Sequence, residues 1–454
     1  MRRLFGTDGV RGVAGEELTS ERAMQIGRAV AATLSEGYRY KLKIAIGRDT
    51  RISSEMLEAA LIAGLRSGGA DTVTLGVVPT PLVAYLTVEN GLDAGIMISA
   101  SHNPYEYNGI KVFGRDGFKI PDEVEERIES MVLDNTPPLT ICRKDWFGKE
   151  TEVQYGVKDY ITHLASPASD LSGLRVGIDC ANGSCYNTAK ALFPSLNATC
   201  HFIGCEPNGI NINDNCGSTS LKRLKQLVLE EKLDLGIAFD GDGDRCLAVD
   251  ENGNEVDGDF IMAIIAKDLK IQGKLNKNGV VGTIMTNLGF VKFCEKEGIN
   301  YHSAKVGDRY VLEMMEQEGY SFGGEQSGHV IIRELATTGD GQLTAACLLN
   351  IIKKKGESLS SLCSVMKKFP QYHLSLRVTD SEKITLRVDP EISSLINNAE
   401  KALSNGRLVV RPSGTEPLIR IMTEGEDADF IKKIGDDLLE GIRQRLAELK
   451  QNLT

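Results

Sequence analysis

Three aspartates separated by single glycines occur in the segment FDGDGDR, at Asp240, Asp242 and Asp244. Alternate side chains of an extended segment point to the same side, and the glycines allow the backbone to bend until the carboxylates converge. Carboxylates held this close repel one another unless a cation lies between them, and Mg²⁺ prefers oxygen ligands of this kind. The spacing therefore predicts a divalent metal site.

Two other interpretations of this acidic segment are open. A calcium loop of the EF-hand type would use the three aspartates and, at its last position, Glu251. That pattern requires a glycine where the chain has Arg245, and the preceding residues LDLGIAF are typical of a strand. A solvated acidic turn is the second alternative. We expect bound Mg²⁺, with Arg245 among the substrate-binding residues.

Ser101 lies in the polar segment SASHNP, directly after an apolar, strand-like run. A serine before Asn-Pro is a common turn residue, so a purely structural role stays open. A serine hydrolase is disfavoured, because the adjacent His102 should diverge from the serine and no G-x-S-x-G segment is present. A phosphorylated Ser101 with one phosphate oxygen on the metal fits better, since phosphoryl transfer depends on positioning and charge neutralisation. Lys111 and Arg11 are nearby cations.

The segment RPSGTEP combines one guanidinium, two hydroxyls and a glycine, at Arg411, Ser413, Thr415 and Gly414. Such a loop can surround a phosphate group with N–H and O–H donors while the guanidinium makes a bidentate contact. An ordinary hairpin between two strands is the alternative interpretation. We expect a phosphate-binding loop.

The segment GEQSGH places a carboxylate, a hydroxyl and an imidazole within five residues, at Glu325, Ser327 and His329. This mixture of donors and acceptors suits a polyhydroxylated ligand, and the glycines give it access. A lone histidine is more often a structural hydrogen-bonding residue, and that alternative applies to His329. We expect a sugar-binding loop.

One order of elements occurs three times along the chain: strand, helix, strand, and a further strand that ends in a polar loop. The first strands are LKIAIGRD, LRVGIDCANG and GVVGTIMTN, and the last strands are LDAGIMIS, LDLGIAFD and YSFGG. A polar loop follows each of these last strands. We call SASHNP (99–104) the serine loop, DGDGDR (240–245) the aspartate loop and GEQSGH (324–329) the sugar loop. Ligands of helix-covered sheets gather at the loops beyond the strand ends, so these three loops are the candidate ligand-binding positions.

A fourth region, GRLVVRPSGTEPLIRIMTEGE, breaks the repeat and predicts strand, loop and strand before an amphipathic helix. The fold class is therefore α/β, with three related α/β domains and a smaller C-terminal α+β domain. Turn-rich segments predict domains at residues 1–160, 161–255, 256–368 and 369–454. The first carries the serine loop, the second the aspartate loop, the third the sugar loop and the last the phosphate loop.

The whole-chain composition excludes several classes of function. The 454 residues carry a net charge of −11, so binding to nucleic acid, which needs a basic face, is not expected. No apolar run approaches the length of a membrane span, and Gly and Asp interrupt the N-terminal residues before a signal sequence could form. The ten cysteines include no C-x-x-C pair, which is typical of reduced thiols. We expect a cytoplasmic protein.

Five segments together resemble the α-D-phosphohexomutase family, in the family's order and over essentially the full chain. They are GTDGVRG at 6–12, SASHNPYEYNGIK at 99–111, DGDGDR at 240–245, GEQSGH at 324–329 and RPSGTEP at 411–417. The resemblance implies four domains around a central cleft, in agreement with the repeat. It also implies one Mg²⁺ ion per chain and a phosphorylated serine.

Position by position, the resemblance implies a role for each candidate residue. The phosphorylated serine would be Ser101, which would also bind the metal together with Asp240, Asp242 and Asp244. Residues assisting proton movement would be Lys111, Arg11 and His102. Sugar contacts would come from Glu325 and Ser327, with Arg245 and His329 beside them. The phosphate that does not react would be held by Arg411, Ser413, Gly414 and Thr415.

The glutamine at position 326 resembles the residue that the glucosamine-phosphate branch of the family has at this position. The resemblance thus implies an isomerase that interconverts glucosamine 6-phosphate and glucosamine 1-phosphate through a 1,6-bisphosphate. This activity would feed UDP-N-acetylglucosamine and cell-wall precursor synthesis. A mutase for mannose or glucose phosphates, or a metal-dependent sugar phosphatase, is the alternative. The expected partner is a small-molecule sugar phosphate, and a homodimer is compatible with this interpretation.

Overall fold

The structure is a computed structural model that describes residues 3–6, 8–142, 144–413 and 417–451. The chain divides into two compact units, residues 1–283 with 302–364 and residues 284–301 with 365–454. None of the helices in the described ranges is long and apolar enough to cross a membrane.

The first α/β segment contains a mixed sheet with helices packed against it. Its elements are β1 (Phe5–Gly6), β2 (Gly9–Val13), α1 (Ser20–Leu34), β3 (Lys43–Arg48), α2 (Ser54–Ser67), β4 (Asp71–Val77), α3 (Thr80–Glu89), β5 (Ala94–Ile98), β6 (Tyr107–Gly114), α4 (Asp122–Leu133) and a 3-10 helix at Lys144–Trp146. The strand order is β1-β2-β6-β5-β3-β4, with β3 parallel to β4 and β5. The Thr19 hydroxyl accepts a hydrogen bond from Arg22 N–H and so caps α1, whose Ile26 and Val30 are buried against Ile44 and the rest of the core.

The second α/β segment repeats this arrangement around a smaller sheet. Its elements are α5 (Val157–Ala165), β7 (Arg175–Asp179), α6 (Tyr186–Ser195), β8 (Thr199–Ile203), a 3-10 helix at Gly217–Thr219, α7 (Lys222–Glu230), β9 (Leu235–Phe239), β10 (Cys246–Asp250) and β11 (Glu255–Val256). The strand order is β11-β10-β9-β7-β8. Leu224 and Val228 on α7 are buried against Ala238 and Val249 of the sheet.

The third α/β segment follows with the same order of elements. They are α8 (Gly258–Ile271), a 3-10 helix at Asn276–Asn278, β12 (Gly279–Thr283), α9 (Leu288–Glu297), β13 (Asn300–Ala304), α10 (Asp308–Glu318), β14 (Phe322–Gly324), β15 (Val330–Ile332), α11 (Gly341–Lys355) and α12 (Leu359–Cys363). The strand order is β13-β12-β14-β15. Gly319 and Gly356 end α10 and α11 in the left-handed conformation, which glycine adopts without steric cost.

The predicted threefold repeat is confirmed by the strand orders. In each sheet the last parallel strand, β5, β9 or β14, lies between the first parallel strand and an antiparallel strand that follows it in the chain. The serine, aspartate and sugar loops are therefore the hairpin connections β5–β6, β9–β10 and β14–β15. Three loops of different chemistry occupy one equivalent position in the repeated topology.

The C-terminal region forms an antiparallel sheet covered by helices. Its elements are β16 (Gln371–Arg377), α13 (Asp380–Val388), α14 (Pro390–Ala402), β17 (Arg407–Pro412), β18 (Leu418–Glu424) and α15 (Ala428–Gln451), and the strand order is β16-β18-β17. Ile419 and Ile421 of β18 are buried against Leu438 and Ile442 of α15. The predicted strand, loop, strand and helix are β17, β18 and α15, whereas β16, α13 and α14 were not predicted.

Candidate active site

The aspartate loop is a buried cluster of carboxylates. One oxygen from each of Asp240, Asp242 and Asp244 lies within 4.8 Å of the others, and all three residues are at most 5% exposed. Backbone contacts hold the loop, because Ser184 N–H donates to the Gly241 carbonyl at 2.8 Å and Gly341 N–H donates to the Gly243 carbonyl at 3.0 Å. The convergence expected from the alternating sequence is present.

The charges around this cluster fit a divalent cation. Burial, with Asp244 and Asp242 beside it, raises the pKa of Asp240 well above its ordinary value. Burial would raise the pKa of Asp244 as well, but Lys111, His329 and Arg245 hold it well below its ordinary value. One oxygen each of Asp242 and Asp244 is buried without a hydrogen-bond partner among the described residues. Such unpaired carboxylate oxygens are suitable ligands for Mg²⁺.

Ser101 lies directly beside the aspartate loop. Its side-chain Oγ donates to Asp240 Oδ2 at 2.6 Å, and the residue is 1% exposed. The backbone of Ser101 has a φ of +50°, in the left-handed region that non-glycine residues adopt at a cost of roughly 1–2 kcal/mol. Its N–H donates to Ser99 Oγ at 2.9 Å, which helps to hold this conformation. The serine and the aspartates, 139 residues apart, form one site.

His102 is closer to the serine than the sequence analysis expected. Its Nδ1 lies 3.3 Å from Ser101 Oγ, because the left-handed turn at Ser101 prevents the divergence typical of extended chain. Burial, followed by the positive charges of Arg245 and Arg11, lowers the pKa of His102 to about 4. The imidazole is therefore neutral near pH 7.

Lys111 projects from β6 into the carboxylates. Its Nζ lies 2.8 Å from Asp242 Oδ2, 3.4 Å from Asp244 Oδ2 and 3.1 Å from Asp8 Oδ2. Burial alone would lower the pKa of Lys111, but Asp242, Asp8 and Asp244 hold it well above its ordinary value. Lys111 is thus a fixed positive charge. Asp242 Oδ2 also accepts a hydrogen bond from Thr80 Oγ1, at 2.7 Å.

A second set of charges links this site to the third α/β segment. Asp8 bonds to the guanidinium of Arg11 and to Lys119, and Lys119 Nζ also lies 2.6 Å from Asp308 Oδ2. Lys119 and Asp308 line a cleft of about 680 Å³, which also includes His329. Sequence reasoning did not single out Asp8 although it lies in the GTDGVRG segment, and it did not single out Lys119 or Asp308, which no local pattern marks.

The sugar loop approaches the aspartates through His329. Its Nδ1 lies 3.7 Å from Asp244 Oδ2, and its Nε2 accepts a hydrogen bond from Gly339 N–H at 3.1 Å. Because Nε2 is the acceptor, this hydrogen-bond network assigns the ring proton to Nδ1, which faces Asp244. Glu325 Oε1 accepts from Gly307 N–H at 3.0 Å.

Further polar side-chain atoms in this region are buried without a hydrogen-bond partner within the described ranges. They include Ser327 Oγ, Arg245 Nε and Arg11 Nε. Arg245 N–H also donates to Asp240 Oδ1 at 3.2 Å, which ties the end of the aspartate loop to its beginning. Buried donors without acceptors are costly, so these atoms suit a polar ligand.

Helix α11 supports the aspartate loop from its N-terminus. Asp340 is the N-cap, its Oδ1 accepts from Leu343 N–H at 3.0 Å, and its Oδ2 accepts from the Tyr160 hydroxyl at 2.8 Å. The next residue, Gly341, makes the contact with Gly243 given above. The cap therefore positions a backbone donor on the aspartate loop.

The second unit carries the remaining candidate residues, described here by themselves. Arg411 on β17 lies opposite Arg420 on β18, and both line a cavity of about 220 Å³ that also includes His373 and Ser375. Burial and the neighbouring Arg420 lower the pKa of Arg411. A cavity with two guanidinium groups suits an anion.

The phosphate-loop residues are only partly described. Ser413 N–H donates to the Leu418 carbonyl at 2.8 Å, which closes the β17–β18 hairpin around the loop. Gly414 and Thr415 lie outside the described residues.

Models of one protein family match four successive segments of the chain. They are the phosphoglucomutase/phosphomannomutase alpha/beta/alpha domains I, II and III, at residues 2–138, 158–253 and 257–369, and the C-terminal domain at residues 374–441. The chain belongs to the phosphoglucomutase/phosphomannomutase family, which confirms the resemblance drawn from the five motifs.

Individual relatives are similar over nearly the whole chain. The chain is 50% identical over 448 residues to the phosphoglucosamine mutase of Acetivibrio thermocellus, which covers 98% of this chain and 100% of that protein. The fold of this chain is similar to that of a phosphoglucomutase/phosphomannomutase family protein from Burkholderia thailandensis, with a TM-score of 0.82 and 22% identity. The match covers 96% of this chain and 97% of that protein. The N-acetylphosphoglucosamine mutase of Aspergillus fumigatus, in complex with GlcNAc-6P and magnesium, has a TM-score of 0.69, 16% identity and coverage of 97% and 95%.

Proposed function

We propose that this protein is a phosphoglucosamine mutase that interconverts glucosamine 6-phosphate and glucosamine 1-phosphate. The observation that carries the proposal is the 2.6 Å contact between Ser101 Oγ and the cluster of three buried aspartates. Full-length identity of 50% to a relative of that name supports the choice of amino sugar. The product would feed UDP-N-acetylglucosamine and cell-wall precursor synthesis.

Asp240, Asp242 and Asp244 would hold Mg²⁺, and an oxygen of phosphorylated Ser101 would complete its ligands. The ion supplies positive charge that neutralises the phosphoryl oxygens as they transfer. Lys111, whose Nζ lies 2.8 Å from Asp242 Oδ2, adds a second positive charge beside the aspartate cluster. This arrangement provides the charge neutralisation on which phosphoryl transfer depends.

The reaction requires two transfers at one serine. In the first, the free hydroxyl oxygen of the sugar bonds to the phosphorus and loses its proton, while the bond from phosphorus to Ser101 Oγ breaks and the serine oxygen takes up a proton. The product is a 1,6-bisphosphate. In the second transfer, Ser101 Oγ loses its proton and bonds to the other phosphorus of the bisphosphate, while the bond from that phosphorus to the sugar oxygen breaks and the sugar oxygen takes up a proton. The serine ends phosphorylated again, and the sugar phosphate has been isomerised.

Proton movement accompanies each transfer. His102, neutral near pH 7 because its pKa is lowered to about 4, lies 3.3 Å from Ser101 Oγ, within hydrogen-bond reach of the oxygen at which the proton moves. Lys111, whose pKa is held well above its ordinary value, stays protonated, and together with Arg11 it would stabilise the oxygen that carries negative charge. We assign these three residues jointly to proton and charge handling at the reacting oxygen.

The rest of the sugar phosphate would be held by two other sets of residues. Those proposed for the sugar are Glu325, Ser327, His329 and Arg245. Those proposed for the phosphate that does not react are Arg411, Ser413, Gly414 and Thr415. Gln326, whose amide donates to Asp259 Oδ2 at 3.0 Å, would favour glucosamine phosphates, as the family resemblance implies.

The test combines mass spectrometry with kinetics. Intact mass before and after phosphatase treatment should show one phosphoryl group located on Ser101, and glucosamine 6-phosphate should be isomerised faster than glucose or mannose 6-phosphate. Ser101→Ala should abolish isomerisation while the protein stays folded. The matched control is Ser195→Ala, which removes a hydroxyl that donates to the Leu192 carbonyl.

Three results would contradict the proposal. Full activity of Ser101→Ala would exclude the phosphoserine. Faster reaction of the neutral sugars would identify a phosphoglucomutase or phosphomannomutase. Steady release of inorganic phosphate without an isomer would identify a phosphatase.

A further inference from the structure

Two backbone carbonyls of the serine loop are each held by two side chains. The carbonyl of Ser101 accepts from Arg51 Nη2 at 3.0 Å and from Asn213 Nδ2 at 2.9 Å. The carbonyl of Asn103 accepts from the same two groups, at 2.8 Å and 3.1 Å. Arg51 belongs to the first α/β segment and Asn213 to the second, so the serine loop is held from both sides.

The orientation of the Asn213 amide is dictated by these contacts. Its Oδ1 is buried and has no hydrogen-bond partner in the part of the chain that the structure describes. Rotating the amide would bring this oxygen against two carbonyl oxygens, which cannot donate. A buried unpaired oxygen has a cost, and the Asn213 donor contacts to Ser101 and Asn103 account for it.

Asn213 is itself anchored next to the aspartate loop. Its N–H donates to the Ala181 carbonyl at 2.9 Å, and its backbone is left-handed, with a φ of +59°. A Cβ added to Gly241 would lie 2.5 Å from the Ser101 carbonyl oxygen and 2.8 Å from Asn213 Nδ2. The two loops and the Asn213 amide are therefore packed too tightly to admit a methyl group.

We propose that Asn213 is a positioning residue that holds the Ser101 loop in register with the aspartate loop. Its amide fixes the carbonyl of a residue whose backbone is left-handed, and thereby fixes the direction of the serine oxygen. A displacement of about 1 Å at a reacting group can reduce a rate roughly 100-fold. The inference rests on the proposed role of Ser101 as the phosphoryl carrier.

The main variant is Asn213→Asp, which keeps the shape but places a carboxylate oxygen against the two carbonyls. The matched control is Asn215→Asp, because Asn215 has the same left-handed backbone, with a φ of +51°, and is exposed, with its amide on Asp214. A second variant, Asn213→Gly, removes both hydrogen bonds without adding charge, and glycine accepts the left-handed backbone.

Two measurements separate positioning from a merely structural role. The first is the rate at which dephosphorylated protein takes a phosphoryl group from glucose 1,6-bisphosphate onto Ser101, followed by intact mass. The second is kcat and KM for glucosamine 6-phosphate. For both Asn213 variants we expect the phosphorylation rate and kcat to fall about tenfold or more, with KM changed less than about twofold. Asn215→Asp should match the wild type.

Wild-type rates in either folded Asn213 variant would overturn the inference, as would a loss that appears in KM alone. A loss of the same size in Asn215→Asp would also overturn it. The proposed function fails in a different way: the unmutated protein would then take no phosphoryl group at Ser101.

Discussion

Asp340 at the N-terminus of α11 should make the stability of the protein depend on pH in an unusual direction. Burial raises the pKa of its carboxyl group from 3.8 to about 6, although Leu343 N–H and the Tyr160 hydroxyl bond to it. The folded protein therefore binds this proton more tightly than the unfolded chain. The stabilising contribution is fully present below pH 3.8 and is lost as the pH rises through 6.

The magnitude follows from the two pKa values. At about 1.36 kcal/mol for each pKa unit, the ionised carboxylate lowers the free energy of unfolding by about 3 kcal/mol at pH 7.5. At pH 4.5 the carboxyl group is almost wholly protonated in the folded state, and the same linkage gives about 1 kcal/mol. The difference across this range is about 2 kcal/mol.

Asp340→Asn isolates this term, because asparagine is an equally good N-cap and does not ionise. Relative to wild type, the free energy of unfolding of the variant should rise by about 2 kcal/mol between pH 4.5 and pH 7.5, measured by urea unfolding at each pH. The control is Asp389→Asn, another N-cap, whose pKa is lowered chiefly by its hydrogen bond from Arg445. That control should show no such gain, and a flat or falling difference for Asp340→Asn would refute the reasoning.

Two further predictions concern charged groups in each unit. Lys111→Met removes the cation that pairs with Asp242 and one of the three cations around Asp8, so the metal-free variant should melt well below wild type. Added Mg²⁺ should raise its Tm by more than it raises that of wild type in thermal-shift assays, and an equal rise would contradict the shared role in charge neutralisation. Arg407 Nη2 lies 2.6 Å from Glu424 Oε2, and the Glu424 side chain is fully buried. Arg407→Gln should therefore cost about 3 kcal/mol of stability in urea unfolding, and a cost below about 1 kcal/mol would show that Glu424 is satisfied by its other partners.

The repeated part of the fold could be predicted because its signals are local. The apolar run LDAGIMIS contains β5, and LDLGIAFD contains β9, each followed at once by its polar loop. The nearness of Ser101 to Asp240 was expected from the proposed chemistry and the family resemblance rather than from topology, because the two loops belong to different sheets. In the C-terminal region β16 was missed, because its place in the sheet depends on pairing with β18, more than 40 residues later in the chain.

The parts of the site that were missed depend on long-range contacts. Lys119 and Asp308 are 189 residues apart, and an ion pair between them leaves no trace in the spacing of either segment. Arg51, fully buried, reads in sequence as an ordinary surface charge after a strand. The left-handed backbone of Ser101 is likewise imposed by its surroundings, and so its contact with His102 was not expected.

The three equivalent hairpins, which carry different candidate residues of one active site, are each supported by a separate sheet. Each hairpin rises from its own sheet, and the first two sheets have separate hydrophobic cores, so a cavity beneath β5 or β9 acts first on the hairpin above it. A destabilising substitution deep in one core would then disturb first either the proposed phosphoryl carrier, Ser101, or the proposed cation site. The step that is lost in a variant substituted far from the reacting atoms would show which of the two cores had been destabilised.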